Sequence, residues 1–144
     1  MPDKRIRSKI RGFMKSEKLS VVSTVNSNGR PESALVAFSE TNSLGVIFGT
    51  FNNTRKYRNI RKNPDVSLVI GWDDRKNINI QYEGTAREVS GKEADKCRKI
   101  HLAKNPNSVK YAYKREQRFF IVKPKWIRYS DLSGDEPKVY EIRF

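Results

Sequence analysis

The stretch from Phe48 to Val69, FGTFNNTRKYRNIRKNPDVSLV, carries the chain out of one apolar strand, through a short basic helix and into another strand. Asn53 or Thr54 supplies a helix N-cap. Tyr57 and Ile60 form the helix's apolar side, and Asn63-Pro64 stops it. Arg55 and Lys56 occupy the first turn, where they oppose the helix dipole at a cost of about 0.3–1 kcal/mol each. A sequence indifferent to ligands favours Asp or Glu there. The unpaired N–H groups of a helix N-terminus stabilise an anion. A Thr hydroxyl, an Arg that binds phosphate oxygens bidentately and a Lys acting as a point charge together make a phosphate clamp.

Working outward, residues 4–17 place Ile6, Ile10, Phe13 and Met14 at helical spacing among Lys and Arg. Strands are predicted over Lys18–Asn26, Glu32–Ser39 and Leu44–Gly49, with turns at Ser27–Pro31 and Thr41–Ser43. The short connections predict an antiparallel meander of these three. Further strands follow at Val66–Trp72, Ile78–Val89, Arg118–Tyr129 and Val139–Phe144, and a helix at 91–104. Asp73-Asp74 reads as a turn, Gly84 as a bulge or bend, and Pro124 as an interruption or an edge. Six or seven strands with three peripheral helices predict a mainly-β fold, a closed or nearly closed antiparallel barrel with helices over its ends. Strand-helix-strand alternation and a G-x-G-x-x-G are both missing, which excludes a doubly wound fold. A single domain over 1–144 is expected.

Composition narrows the function. Thirty Lys and Arg stand against 16 Asp and Glu, a net charge of +14. The excess concentrates in residues 1–18 (seven basic, two acidic), 55–62 (five and none) and 92–118 (nine and three). Such a field attracts phosphates on a cofactor, a nucleotide or a nucleic acid without choosing among them. Cys97 is the only cysteine and His101 the only histidine, so intrachain disulfides, four-thiolate zinc sites and His-rich metal sites are excluded. The basic N-terminus has no apolar core of a secretory signal, and no apolar run reaches the roughly 20 residues that span a bilayer. A soluble, cytoplasmic protein is expected.

Gly29-Arg30-Pro31, Thr50, Thr54-Arg55-Lys56, Asn59-Ile60, Asn63-Pro64 and Val66-Ser67-Leu68 follow one another as they do in the FMN-binding, pyridoxamine-phosphate-oxidase-like split-barrel superfamily, which this chain resembles over residues 10–130. Glu83–Ala86 resembles the x-G-x-A of the family's long strand, and Pro124–Tyr129 is similar to its small general-stress-protein-type members. The resemblance implies a homodimer with FMN at its interface. It implies that Arg55, Lys56 and Thr54 hold the FMN phosphate and that Thr50 bonds the flavin or its phosphate end. The strand carrying Ser33, Ala34, Leu35 and Val36 would contact the ring through backbone groups. Asn79 or Gln81 would reach it from the other subunit, and Trp126 would pack beside it. An oxidoreductase acting on a small molecule, with NAD(P)H as its partner, follows.

The departures concern substrate. Pyridoxamine-phosphate oxidases end the flavin-side strand in a Lys where this chain has Ala37 or Phe38, and their C-terminal Arg-x-His has no counterpart in KVYEIRF. Oxidation of pyridoxal-type vitamers is therefore not expected. His101 reads as a half-buried helix residue, with haem ligation as its sharper alternative, and Cys97 reads as packing. Two other readings stand beside FMN: the same fold holding a deazaflavin or haem, and a nucleic-acid module using Tyr111, Tyr113, Phe119 and Phe120 among its basic residues. No recognised nucleic-acid motif supports the latter.

Overall fold

A computed structural model describes residues 2–144. Helix α1 (Pro2–Ser16) precedes strands β1 (Leu19–Val25), β2 (Pro31–Ala37), β3 (Ser39–Glu40) and β4 (Val46–Phe51). Helix α2 (Arg55–Lys62), β5 (Asp65–Ile70), β6 (Ile78–Val89) and α3 (Gly91–Lys104) follow. A 3-10 turn at Pro106–Ser108, the one-turn helix α4 (Val109–Ala112), β7 (Gln117–Asp131) and β8 (Lys138–Arg143) complete the chain.

The strands form one sheet in the order β2-β1-β5-β6-β7-β4-β3, with β8 also on β7, and every pairing is antiparallel. The two ends of that path, β2 and β3, are consecutive in the chain and separated by Phe38 alone. The sheet therefore curls until its first and last strands meet. The fold is a mainly-β split barrel.

The expected three-strand meander forms only in its local hairpins: β1 pairs with β2, and Ser39 at the end of the second predicted strand pairs with Ile47 across the Thr41–Ser43 turn. Glu32–Ser39 divides between β2 and β3, and β4 pairs with β7 instead of β2. Short connections favour local hairpins, but here a long-range partner buries more apolar surface: Phe48 and Phe120 face each other in register and stack at 5.5 Å. Pro124 does not interrupt β7. It falls where β7 ceases to pair with β4, at Val122, and before pairing with β8 starts, at Trp126, so its missing N–H breaks neither ladder. Opposite it, the register of β6 shifts between Glu83 and Gly84, the bulge that Gly84 predicts. Residues 105–116, unassigned from sequence, supply the 3-10 turn and α4.

The barrel interior is filled by Val22, Phe38, Phe48, Leu68, Ile80, Tyr82, Val122 and Ile127, and α1 closes one end with Ile10, Phe13 and Met14. Tyr82 is 1% exposed and satisfies its hydroxyl by donating to the Leu44 carbonyl at 2.7 Å. A second cluster, Ile47, Val89, Cys97, Ala112 and Phe119, lies on the outer side of the wall under α3 and α4. Cys97 is buried there and its thiol pKa is raised by burial, as a packing residue's would be. No helix of the described residues is long and apolar enough to cross a membrane.

Gly71, at the end of β5, has φ +92°, and a Cβ there would stand 2.5 Å from the Ile78 carbonyl and 2.7 Å from the Phe13 ring. Gly71→Ala is expected to destabilise the fold by more than about 2 kcal/mol, read as a lower urea midpoint at unchanged slope.

Candidate functional site in the split of the barrel

Strand β2 pairs only with β1, so its second edge offers unpaired backbone N–H and C=O groups. That edge faces the split. Leu35, Val36 and Ala37 of β2 and Gly49, Thr50 and Phe51 of β4 line a cavity of about 330 Å³ there, together with Thr54 and Lys56 of α2. Its remaining walls come from His101 of α3, Ser108, Tyr111 and Ala112, and Gln117 and Phe119 of β7. A smaller cavity of about 120 Å³ shares Lys56 and adds Thr24, Glu32, Ser33, Ala34 and Arg55.

The α2 end is built for an anion. Thr54 caps the helix with φ −93° and ψ 160°, and its Oγ1 accepts from the Tyr57 N–H at 3.4 Å. Thr50 Oγ1 lies 2.9 Å from Thr54 Oγ1, which joins the strand end to the cap. Among the described residues, the backbone N–H groups of Arg55 and Lys56 have no protein acceptor. No acidic residue occupies the first turn. Arg55 pairs with Glu32 at 3.2 Å and is largely exposed. Hydrogen bonds from Asn59 and Asn26 hold the Glu32 carboxyl below its usual range, with the nearby Arg55 and Arg58 adding to the effect. Lys56 is different. It is half-buried, makes no ion pair among the described residues, and burial depresses its pKa. Among the described residues this ammonium has no ion-pair partner, and it shares the cavity with two hydroxyls and lies on the same first turn as two open N–H groups.

Elsewhere the lining is aromatic. Phe51 and Tyr111 meet edge to face at 6.0 Å, and Phe119 packs against His101 at 5.8 Å. Gly49 has no side chain because Gln117 lies across it and Phe119 approaches within 3.2 Å of where a Cβ would stand. His101 is 4% exposed, with Nδ1 3.3 Å from Ser39 Oγ. Burial first, and then Lys104, push its pKa down to about 4.

The structure thus gathers Ser33, Ala34, Leu35, Val36, Thr50, Thr54, Arg55 and Lys56 around two adjoining cavities. Asn79, Gln81 and Trp126 line neither. They stand on the outer face of the sheet: Gln81 faces Val69 across β5, Asn79 faces Ser130, and Trp126 faces Glu83. The Trp126 indole N–H lies 3.4 Å from Glu141 Oε2.

Comparison with known proteins now decides the family. The family model described as pyridoxamine 5'-phosphate oxidase matches residues 6–131. The chain belongs to that family. A pyridoxine/pyridoxamine 5'-phosphate oxidase of Haemophilus influenzae is 33% identical over 75 residues, 52% of this chain and 35% of that protein. The match thus spans about a third of that relative's length. Among solved structures, a heme binding protein from Mycobacterium smegmatis superposes with a TM-score of 0.82 at 15% identity, covering 95% of this chain and 57% of that one. General Stress Protein 26 from Bacillus anthracis gives 0.75 at 20% identity, covering 96% and 98%. At these identities the structures share the fold.

Sequence reading misses most of the second half of this family member's cavity. Tyr111 and Phe119 were legible only as aromatics among basic residues, and the structure separates them: Tyr111 walls the cavity, Tyr113 is 71% exposed, and Phe120 is buried in the barrel core. His101 has no sequence signal beyond being the lone histidine. Its depressed pKa has a definite consequence. From about pH 6.5 down to about 4 the unfolded chain protonates this imidazole while the folded one does not, so stability falls as pH falls through that window. Relative to a His101→Leu variant, the wild type is expected to lose about 2–3 kcal/mol more between pH 7 and pH 4, measured by urea unfolding across pH.

Proposed function

We propose that the protein is an FMN-binding oxidoreductase that acts on a small molecule and works as a homodimer, with NAD(P)H as its reductant. The observation that carries the reading is Lys56, a half-buried cation without a partner beside the hydroxyls of Thr50 and Thr54 at the start of α2. The residues present fit the cofactor. Lys56, Thr54, Thr50 and the first N–H groups of α2 would hold its phosphate, with Arg55 reaching the adjoining cavity. The open edge of β2 from Ser33 to Val36 would supply backbone donors and acceptors to the ring, and Phe51, Tyr111 and Phe119 would supply apolar walls. When bound, FMN supplies the electron chemistry, while the protein supplies orientation, electrostatics and access. Activity on pyridoxal-type substrates is not expected, because by the resemblance Ala37 or Phe38 holds the place of the family's substrate-binding Lys.

The exposed face of the sheet supports the dimer. Leu35, Val21 and Val69 form one cross-strand row over β2, β1 and β5. Leu35 is 55% and Val69 45% exposed, with Trp72 at 57% nearby in sequence. An apolar row of this kind favours burial against a second copy. Gln81 continues the same row on β6, so the dimer would cover the face that carries Asn79, Gln81 and Trp126.

His101 gives a second reading its one specific handle: the same fold holding haem, with this imidazole in the cavity wall. A protein purified without added cofactor separates the two by its visible spectrum and by the ligand released on denaturation.

Lys56→Ala is expected to weaken FMN binding by about 10- to 100-fold, the worth of a charge-assisted contact, while leaving riboflavin binding unchanged. Full retention of FMN by that variant, in fluorescence titration, overturns the phosphate site. Val69→Asp is expected to yield a folded single copy in sedimentation velocity where the wild type sediments as two.

A further inference from the structure

His101 is the only histidine of the chain, and its surroundings hold the ring in place. Its backbone carbonyl accepts from the Asn105 N–H at 2.8 Å and from the Asn105 side-chain amide at 3.3 Å. The same amide donates to the Phe38 carbonyl at 2.9 Å, tying the end of α3 to the residue that closes the barrel. The imidazole itself packs against Phe119 and places Nδ1 3.3 Å from Ser39 Oγ.

Ser39 is 1% exposed, and its hydroxyl has no partner other than that ring nitrogen. A buried hydroxyl gives its proton to an available acceptor. Assigning the Ser39 hydroxyl as donor to Nδ1, its one partner among the described residues, places the neutral ring's own proton on Nε2. No buried side-chain nitrogen or oxygen of the described residues lacks a partner, and Nε2 makes no hydrogen bond within the protein. It therefore has access to the cavity that His101 lines. The cavity is walled by Phe51, Tyr111 and Phe119 and the Gln117 amide, with Lys56 of α2 the one charged residue of its described lining, while Lys104 of α3 acts on the ring from outside it.

Resting on the FMN reading for the phosphate end, we infer that His101 is a neutral hydrogen-bond donor whose Nε2–H reads an acceptor atom on the edge of a planar heteroaromatic ring seated in this cavity. The class of ligand follows from the walls. Aromatic surfaces favour a flat ring, and an N–H donor selects a carbonyl oxygen or an unprotonated ring nitrogen on its rim. A metal ion would instead take a lone pair on Nε2, which requires the ring's proton on Nδ1 with the Ser39 hydroxyl accepting it. The donor is present over the neutral range because the ring remains unprotonated well below pH 6.

The lone imidazole makes the test direct. In protein labelled with nitrogen-15, the ligand-free ring is expected to show the tautomer protonated on Nε2. Addition of FMN is expected to move the Nε2 resonance strongly and Nδ1 little. Lumiflavin, which keeps the ring and lacks the phosphate, is expected to do the same at higher concentration. His101→Phe should weaken FMN binding about three- to tenfold, the worth of one neutral hydrogen bond, and His101→Gln, which retains an N–H donor, should recover part of it. Bound FMN with an unmoved Nε2 overturns the inference and leaves the phosphate site standing. Failure to take up FMN while lumiflavin still shifts Nε2 removes the phosphate site and supports the inference. An Nδ1-protonated ring in the ligand-free protein, or no shift with either ligand, overturns it.

Discussion

The rest of the molecule is arranged around the closure of the sheet at Phe38. Strands β2 and β3 are the two ends of the strand path, and this one residue joins them. Its ring is fully buried in the core and lies 3.9 Å under the Lys104 ammonium. Its N–H donates to the Lys18 carbonyl at 3.2 Å, and its carbonyl accepts from Asn105. Lys104 in turn bonds Glu40 at 2.6 Å and the Met14 carbonyl at 2.9 Å. One covalent crossing thus gathers α1, β3 and α3. A half-buried ion pair is at best a modest contributor to net stability, but this one fixes where three elements meet.

That closure leaves a gap, and the gap is the site. Because β4 takes its ladder from β7, the free edge of β2 and the end of β4 face each other without pairing. A sheet edge exposes polar backbone that ordinarily invites another strand. Here α3, α4 and the turn between them cover the far side, and the start of α2 closes the near side. The result is a slot with backbone polarity along one wall, a cation and hydroxyls towards α2, and aromatic rings with one fixed imidazole towards α3. Such an asymmetric lining suits a ligand with a charged tail and a flat neutral ring.

The large positive charge has a structural explanation that does not require nucleic acid. Basic side chains crowd the solvent faces of α1, α2 and α3, whose opposite faces are buried against the barrel through Ile10, Phe13, Met14, Tyr57, Ile60 and Cys97. Several are paired, including Arg7 with Asp3, Arg55 with Glu32 and Arg98 with Asp95. Of the aromatics that a stacking platform would use, Phe119 and Phe120 are buried. The field still concentrates anions near α2, which favours capture of a phosphorylated ligand.

What the sequence determined by itself was local. Thr54 as cap, Arg55 and Lys56 in the first turn, the Asn63-Pro64 stop and the Gly84 bulge are each set by a few neighbouring residues through backbone geometry and capping chemistry. They were legible for that reason, and with them the basic, hydroxyl-bearing end of the cavity. Strand pairing was decided only in three dimensions, since β4 and β7 lie about seventy residues apart and their choice of one another depends on how Phe48 and Phe120 fill a shared core. The same long-range pairing split Glu32–Ser39 into two strands and turned β2 into an open edge. It also brought His101, Tyr111 and Phe119 to the slot and buried the imidazole beside Ser39. A spacing of residues carries no trace of such a contact, because it forms between elements that only the closed barrel brings together.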